Sequence, residues 1–238
     1  KLGSAPPPEP TDMRRRIAEL EQSVGSSLGL IGMLDIGKVD KLRDLANGYN
    51  SLRDYSRAED AWRQILDAQE RALGAQNPAL GDTLAHLALN VANQSRFEEA
   101  DRLFQRAEPL TRRSSDPDHY PRLLVYRGFE QELQGRYPQA LDLVAQSTKI
   151  RRERREARDA LGHSLYAEAA LAMKTGDLAR ADRTVQEARL NFGAAYGSQH
   201  WWVAEAIELQ AEVAKRAGRF DDARRLNTQL IGLREAIF

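Results

Sequence analysis

The sequence predicts an all-α solenoid of about five stacked helix pairs preceded by an N-terminal helix. Three observations carry this expectation. The tetrads Ala58-Glu-Asp-Ala61, Ala100-Asp-Arg-Leu103, Ala140-Leu-Asp-Leu143, Ala181-Asp-Arg-Thr184 and Ala223-Arg-Arg-Leu226 recur at steps of 42, 40, 41 and 42 residues. A fixed step of that size marks a stack of copied supersecondary units. Twelve residues before each anchor stands a small residue, Ala46, Ala88, Gly128, Ala169 and Ala211, which lets two helix backbones approach toward the short end of the roughly 8–10 Å interaxial range. Four residues earlier again come Leu42, Leu84, Leu124, Leu165 and Ile207, and four after each anchor come Trp62, Phe104, Val144, Val185 and Asn227. The first set fills the seam between the two helices of a pair; the second supplies a large apolar knob in every unit but the last.

Residues 1–10 read as a cloning scar, Lys1-Leu-Gly-Ser4, followed by a Pro-rich linker from Ala5 to Pro10; a trimmed leader, an anchor or a neighbouring domain would each leave such a linker. Residues 11–38 read as a helical capping segment. Thr11 or Asp12 is its N-cap, Ile17, Leu20, Val24, Leu28 and Ile31 recur three and four apart, and Gly25, Gly29 and Gly32 predict a break near Gly25. The solenoid then occupies 39–238, with repeats at about 39–77, 78–118, 119–157, 158–197 and 198–238. In each, a first helix (A) and a second helix (B) are expected: Val39–Leu52 and Asp54–Leu73; Pro78–Gln94 and Arg96–Arg113; Pro121–Gln134 and Tyr137–Glu156; Arg158–Thr175 and Asp177–Tyr196; Gln199–Ala217 and Arg219–Ile237. Gly74, Gly135, Gly176 and Gly218 end helices, while Asn77-Pro78 and Asp116-Pro117-Asp118 supply turns. One junction departs from the pattern. No Gly or Pro lies between Gln139 and Gly162, and the run Arg151-Arg-Glu-Arg-Arg-Glu-Ala-Arg158 crosses the expected turn, so either a long B helix or a loop missing from the numbering is expected there, with the charges on a solvated helix face.

Composition narrows the function. Thirty-five basic residues balance 35 acidic ones, leaving no electrostatic case for nucleic acid or an anionic membrane. No apolar stretch reaches the ~18 residues of a membrane span. Without cysteine there are no disulfides, thiolate metal sites or Cys nucleophiles, and the compartment stays open between cytoplasm and periplasm. Arginine outnumbers lysine 29 to 6, a bias associated with bacterial genomes of high GC content.

Leu45-Ala46-x-x-Tyr49, Tyr55-x-x-Ala58-Glu59, Trp62 and Arg71-Ala72-Leu73-Gly74-x-x-Asn77-Pro78 resemble the tetratricopeptide repeat (TPR), in a long variant of about 42 residues similar to that of kinesin light chains. Arg96-Phe97-Glu98-Glu99-Ala100, Gly135-Arg136-Tyr137-x-x-Ala140 and Gly218-Arg219-Phe220-x-x-Ala223 match its turn and second helix. The resemblance covers about 39–238 and implies a right-handed superhelix whose concave groove, lined by the A helices, binds peptides or partner proteins. It also implies one alternative, a regulatory or sensing segment of a larger bacterial signalling enzyme or caspase-like peptidase; the N-terminal helix itself suggests another, a scaffold that self-assembles through Thr11–Leu34. A subgroup of the family holds a peptide carboxylate with Lys and Asn on the first A helix. Arg43 and Asn47 resemble that pair, but His86 stands near the expected second Asn, and Val125, Tyr126 and Phe129 occupy the third A helix beside Arg122 and Arg127. A groove of amide and aromatic contacts is therefore expected, formed by Arg43, Asn47, Asn50, His86, Asn93, Tyr126 and Phe129.

No catalytic, cofactor or metal site is expected. Gly32-Met-Leu-Asp-Ile-Gly37-Lys38-Val39 fits a phosphate-binding loop up to its last position, where Val39 replaces Ser or Thr, and no strand pattern precedes it. His86, His119, His163 and His200 lie 33 or more residues apart, outside the spacing of paired metal ligands on one helix; His119 and His200 read as turn residues. No serine sits in a nucleophile elbow. Trp201-Trp202 is expected to pack against Phe192 and Tyr196. The sequence thus predicts a non-enzymatic scaffold or adaptor for a protein or peptide.

Overall fold

A computed structural model describes residues 10–25, 36–154 and 157–237. Among these residues eleven helices follow one another: α1 (Pro10–Gly25), α2 (Ile36–Ser51), α3 (Tyr55–Leu73), α4 (Leu80–Asn93), α5 (Phe97–Arg112), α6 (His119–Leu133), α7 (Tyr137–Arg154), α8 (Arg158–Thr175), α9 (Leu178–Tyr196), α10 (Trp201–Arg216) and α11 (Phe220–Ile237). The fold is the all-α array of helix pairs that the period predicts. It forms two compact units, one of Pro8–Leu133 and one beginning at Gln134.

The seam residues lie where close approach requires them. Ala46, Ala88 and Ala169 are fully buried, as are the anchors Ala58, Ala100, Ala140 and Ala181. So are the knobs Trp62, Phe104, Val144 and Val185; burying a Phe or Val of this kind contributes about 1.5–3 kcal/mol each. Asn227, polar at the same register position, is exposed on α11.

In the N-terminal unit α1 lays Met13, Ile17 and Leu20 toward α2, with Ile17 buried. Tyr49 donates a hydrogen bond to Glu21, and Arg57 pairs with the same carboxylate at 3.6 Å. α1 is described as far as Gly25; the expected break near Gly25 and the apolar spacing through Ile31 extend outside the described residues. So do Gly32–Asp35 of the phosphate-loop-like stretch, whose remainder opens α2 with Val39 buried in the core. α2 pairs with α3 and α4 with α5, and α6 packs on both α4 and α5. In the C-terminal unit α7 packs on α8, α8 pairs with α9, and α10 packs between α9 and α11.

The turns follow local chemistry. Asp54 and Asp177 cap α3 and α9 by accepting from the backbone amides of Arg57 at 3.2 Å and Arg180 at 3.0 Å, each such cap contributing about 1 kcal/mol. Gly135, Gly176 and Gly218 take φ of +74°, +85° and +75° between the helices they separate, a region open to glycine at little cost. The corresponding turns of the first two pairs place Arg53 (φ +58°) and Ser95 (φ +61°) there instead.

The Arg151–Arg158 run corrects one expectation. α7 stops at Arg154 and α8 begins at Arg158, and the run is not uniformly a solvated face. Arg151 is only 4% exposed. It donates to the Ala160 carbonyl at 2.9 Å and to the Ser164 hydroxyl, while Arg152 pairs with Glu187 of α9 at 2.7 Å. An arginine at this position ties α7 to α8 in place of a glycine turn.

Candidate functional site

The seven residues expected to face a partner all fall on α2, α4 and α6, the A helices of the N-terminal unit. Arg43 is half-buried and donates to Asp40 at 3.0 Å. Asn47 is exposed, its backbone carbonyl accepting from the Ser51 hydroxyl at 3.0 Å. Asn50 accepts from the Asn90 side chain at 2.7 Å and so links α2 to α4. Asn93 and Phe129 are half-buried near the ends of α4 and α6.

His86 and Tyr126 are brought together. The imidazole lies flat on the Trp62 indole, with ring centroids 4.5 Å apart and planes 16° apart. Tyr126 meets its other side edge-on at 5.0 Å, with its hydroxyl 3.4 Å from each ring nitrogen. Burial drives the His86 pKa down to about 4; Asp82, with a carboxylate oxygen 3.8 Å from Nε2, works against the shift, and Arg122, Arg43 and His119 add to it. The ring is therefore neutral at neutral pH and offers one donor and one acceptor. Arg122 stands beside it, bridging Asp82 at 2.9 Å and Asp118 at 2.7 Å. The indole N–H of Trp62 is buried without an acceptor, a cost of about 1–3 kcal/mol that burial of the ring must outweigh.

A second network links α3 to α5 and to the turn between α4 and α5. Glu59, only 8% exposed, accepts from Gln94 at 2.7 Å, Arg96 at 2.7 Å and Arg63 at 2.8 Å. Burial alone would raise its pKa, but those three hydrogen bonds outweigh it and hold the carboxyl below its ordinary range. Arg63 reaches on to Glu99 at 2.6 Å. Apart from the Arg63–Glu59 pair within α3, these contacts span 35–37 residues of sequence, close to one repeat, so each ties one helix pair to the next.

The C-terminal unit holds a feature that the sequence reading missed: an open concavity of about 510 Å³ formed on α8, α10 and α11 and lined by residues including Tyr166, Glu205, Glu208, Glu212 and Asn227. A signal for it was present. Tyr166 and Glu208 stand three residues before Ala169 and Ala211, the register of Arg43 before Ala46; Glu212 follows Ala211 by one, the register of Asn47 and Phe129. Extending the expected face to the fourth and fifth A helices would have named these residues.

The other three histidines serve packing or capping. His119 bonds Ser114 at 2.8 Å in the turn before α6, His200 accepts from the Trp202 amide at 3.2 Å as the N-cap of α10, and His163 meets Trp202 edge-on at 4.4 Å. Trp202 stacks on Phe192 at 5.3 Å as expected, whereas the expected partner Tyr196 stacks on His200, at 4.4 Å. Among the described residues no group of three or more His, Asp or Glu side chains is arranged to hold a metal, and no helix is long and apolar enough to cross a membrane.

Comparison with known proteins matches the repeat. Residues 40–79 match the tetratricopeptide repeat family model. No curated protein sequence matches the chain. Among solved structures, BtubC (BKLC) from P. vanneervenii is similar with a TM-score of 0.75 at 17% identity, over 94% of this chain and 92% of that one. Nearly identical TPR-like repeats of a Podosopora anserina protein classed as a kinesin light chain give a TM-score of 0.65 at 16% identity, over 85% of this chain and 97% of that one. A Rap protein complexed with Competence and Sporulation Factor gives 0.62 at 13% identity, over 95% of this chain and 71% of that one. The first repeat is thus a tetratricopeptide repeat by sequence, and the chain as a whole shares the fold of such proteins.

Proposed function

We propose that this chain is a protein- or peptide-binding scaffold whose contacts lie on its A helices, at Arg43, Asn47, Asn50, His86, Asn93, Tyr126 and Phe129 in the N-terminal unit and along the concavity of α8, α10 and α11 in the C-terminal unit. The observation that carries this reading is the concavity: about 510 Å³ of open space bounded by a half-buried tyrosine and carboxylates. On the N-terminal face the A helices carry exposed Asn47 and half-buried Arg43, Tyr126 and Phe129, a mixture of amide, cation and aromatic groups suited to a peptide backbone and its side chains. A structure of this fold has been solved in complex with Competence and Sporulation Factor, which supports partner capture as a use of the scaffold. The five-repeat division at 39–77, 78–118, 119–157, 158–197 and 198–238 belongs to the same reading. Self-assembly through α1 is less well supported, because Met13, Ile17 and Leu20 are turned toward α2.

The test is selection of peptides from a random display library on the intact chain, followed by substitution. Tyr126→Ala with Phe129→Ala should weaken a peptide that binds the N-terminal unit by about 2 kcal/mol or more, with a thermal melt confirming that the variant is folded. Unchanged binding by a folded variant removes these residues from the site.

A further inference from the structure

The concavity of the C-terminal unit has a lining that specifies a class of partner, an inference resting on the reading that the A-helix register presents the contacts. Its floor is apolar, formed by buried Leu209, Ala211 and Ala223. One wall is Tyr166 of α8, whose ring is held edge-on to Trp202 at 5.9 Å. Along α10, Glu205, Glu208 and Glu212 follow one another at steps of three and four, so their carboxylates share one helix face. The chain compensates them unevenly. Lys215 and Arg216 take Glu212 at 3.7 and 2.9 Å, and Arg234 takes Glu208 at 2.7 Å but reaches Glu205 only at 3.8 Å.

The electrostatics agree with that geometry. Burial, then the neighbouring Glu208 charge, raise the Glu205 carboxyl above its ordinary range against the pull of Arg234. Burial, then Glu205 and Glu208, push the Tyr166 hydroxyl up to about 12. An aromatic face and a half-buried carboxylate in a negative potential favour a cation. A metal ion is a poorer fit, because no converging set of three metal-ligating side chains is present among the described residues.

We propose that this groove takes a basic peptide segment, with an arginine side chain laid against the Tyr166 ring and its guanidinium directed to Glu205 and Glu208. Arginine suits the groove better than lysine: its planar fork can meet two carboxylates while stacking on a ring, whereas an ammonium is a point charge that holds its water more tightly. An acidic segment would instead add like charge beside Glu205, whose own cation, Arg234, stands 3.8 Å away.

The test uses the intact chain and three fluorescein-labelled peptides: one alternating arginine with alanine, its citrulline counterpart of the same shape without charge, and its lysine counterpart. Fluorescence anisotropy should show the arginine peptide binding at least about tenfold more tightly than the citrulline peptide, with lysine between them. Glu205→Gln with Glu208→Gln, both at exposed or half-exposed positions, should lower the thermal midpoint only slightly, through loss of the Arg234 pairs, and abolish most of that preference. Tyr166→Leu should cost the arginine peptide more than the lysine peptide. Equal binding of the arginine and citrulline peptides, or full retention of arginine binding by the double Gln variant, overturns the proposal. Random-peptide selection on the same protein separates the two readings. Selected peptides lacking Arg and Lys that compete for the groove overturn the basic-segment assignment and leave the scaffold standing, whereas selection of no peptide removes both.

Discussion

His86 lies flat on Trp62, with ring centroids 4.5 Å apart and planes 16° apart, so a titratable ring of α4 rests on the fully buried knob of α3. The two residues belong to neighbouring helix pairs, and the stack is a joint between them. Its chemistry depends on the imidazole being neutral. Protonation would place a charge in a site where burial outweighs the Asp82 carboxylate and Arg122 and Arg43 add repulsion.

This gives a pH dependence of defined sign. The folded pKa of His86, about 4, lies below the ordinary value of 6.5, so between these values the unfolded chain binds a proton that the folded chain refuses. Stability contributed by neutral His86 is complete above pH ~6.5, falls as pH drops toward ~4 and changes no further below it, a loss of at most about 3–4 kcal/mol. His86→Phe keeps a ring on Trp62 and removes the titration. Denaturant unfolding across this range should show a shallower acid loss in the variant; an identical slope would mean that His86 does not carry it.

The repeat register makes a packing prediction. Ala100 is fully buried at the anchor position of α5, where a small residue permits close approach. Ala100→Leu should overpack the α4–α5 pair and cost about 1–3 kcal/mol by denaturant titration. A neutral result would show that the alignment of the repeats is displaced.

Two glycines should respond in opposite directions to the same change. A Cβ on Gly81 would stand 2.8 Å from the Thr111 backbone nitrogen and 3.1 Å from the Leu110 Cβ, whereas one on Gly232 would meet nothing within 4 Å. Gly232→Ala should therefore stabilise α11 by about 0.5–1 kcal/mol, the ordinary helix preference. Gly81→Ala should destabilise despite that preference, because backbone must shift. Thermal melts of the two variants moving the same way would contradict the packing of α4 on α5.

How far these contacts could be read in advance depended on their periodicity. The small residues, anchors and knobs repeat at a nearly fixed step because every pair solves the same packing problem, so Ala46, Ala58 and Trp62 could be placed without coordinates. Asn227 stood out at the knob position and is exposed on α11. Contacts that occur once could not be found this way. The Arg151 hydrogen bonds that join α7 to α8 have no copy in other repeats, so the residue read as part of a solvated charge run. His86 was expected on the partner-facing surface, but whether its ring would point outward or lie on Trp62 depends on the space behind it. Tyr166 and Glu208 of the groove lay in the right register and were missed because the expected face stopped at the third A helix.

The most direct test of the scaffold account is a crosslinking map. A peptide selected on the intact chain, carrying a photoreactive group, is irradiated in complex and the attachment sites are located by mass spectrometry. The account predicts attachment to the A helices, near Asn47, Tyr126 and Phe129 or near Tyr166 and Glu208. Attachment confined to the B helices α3, α5, α7 and α9, competed by the unlabelled peptide, would contradict it.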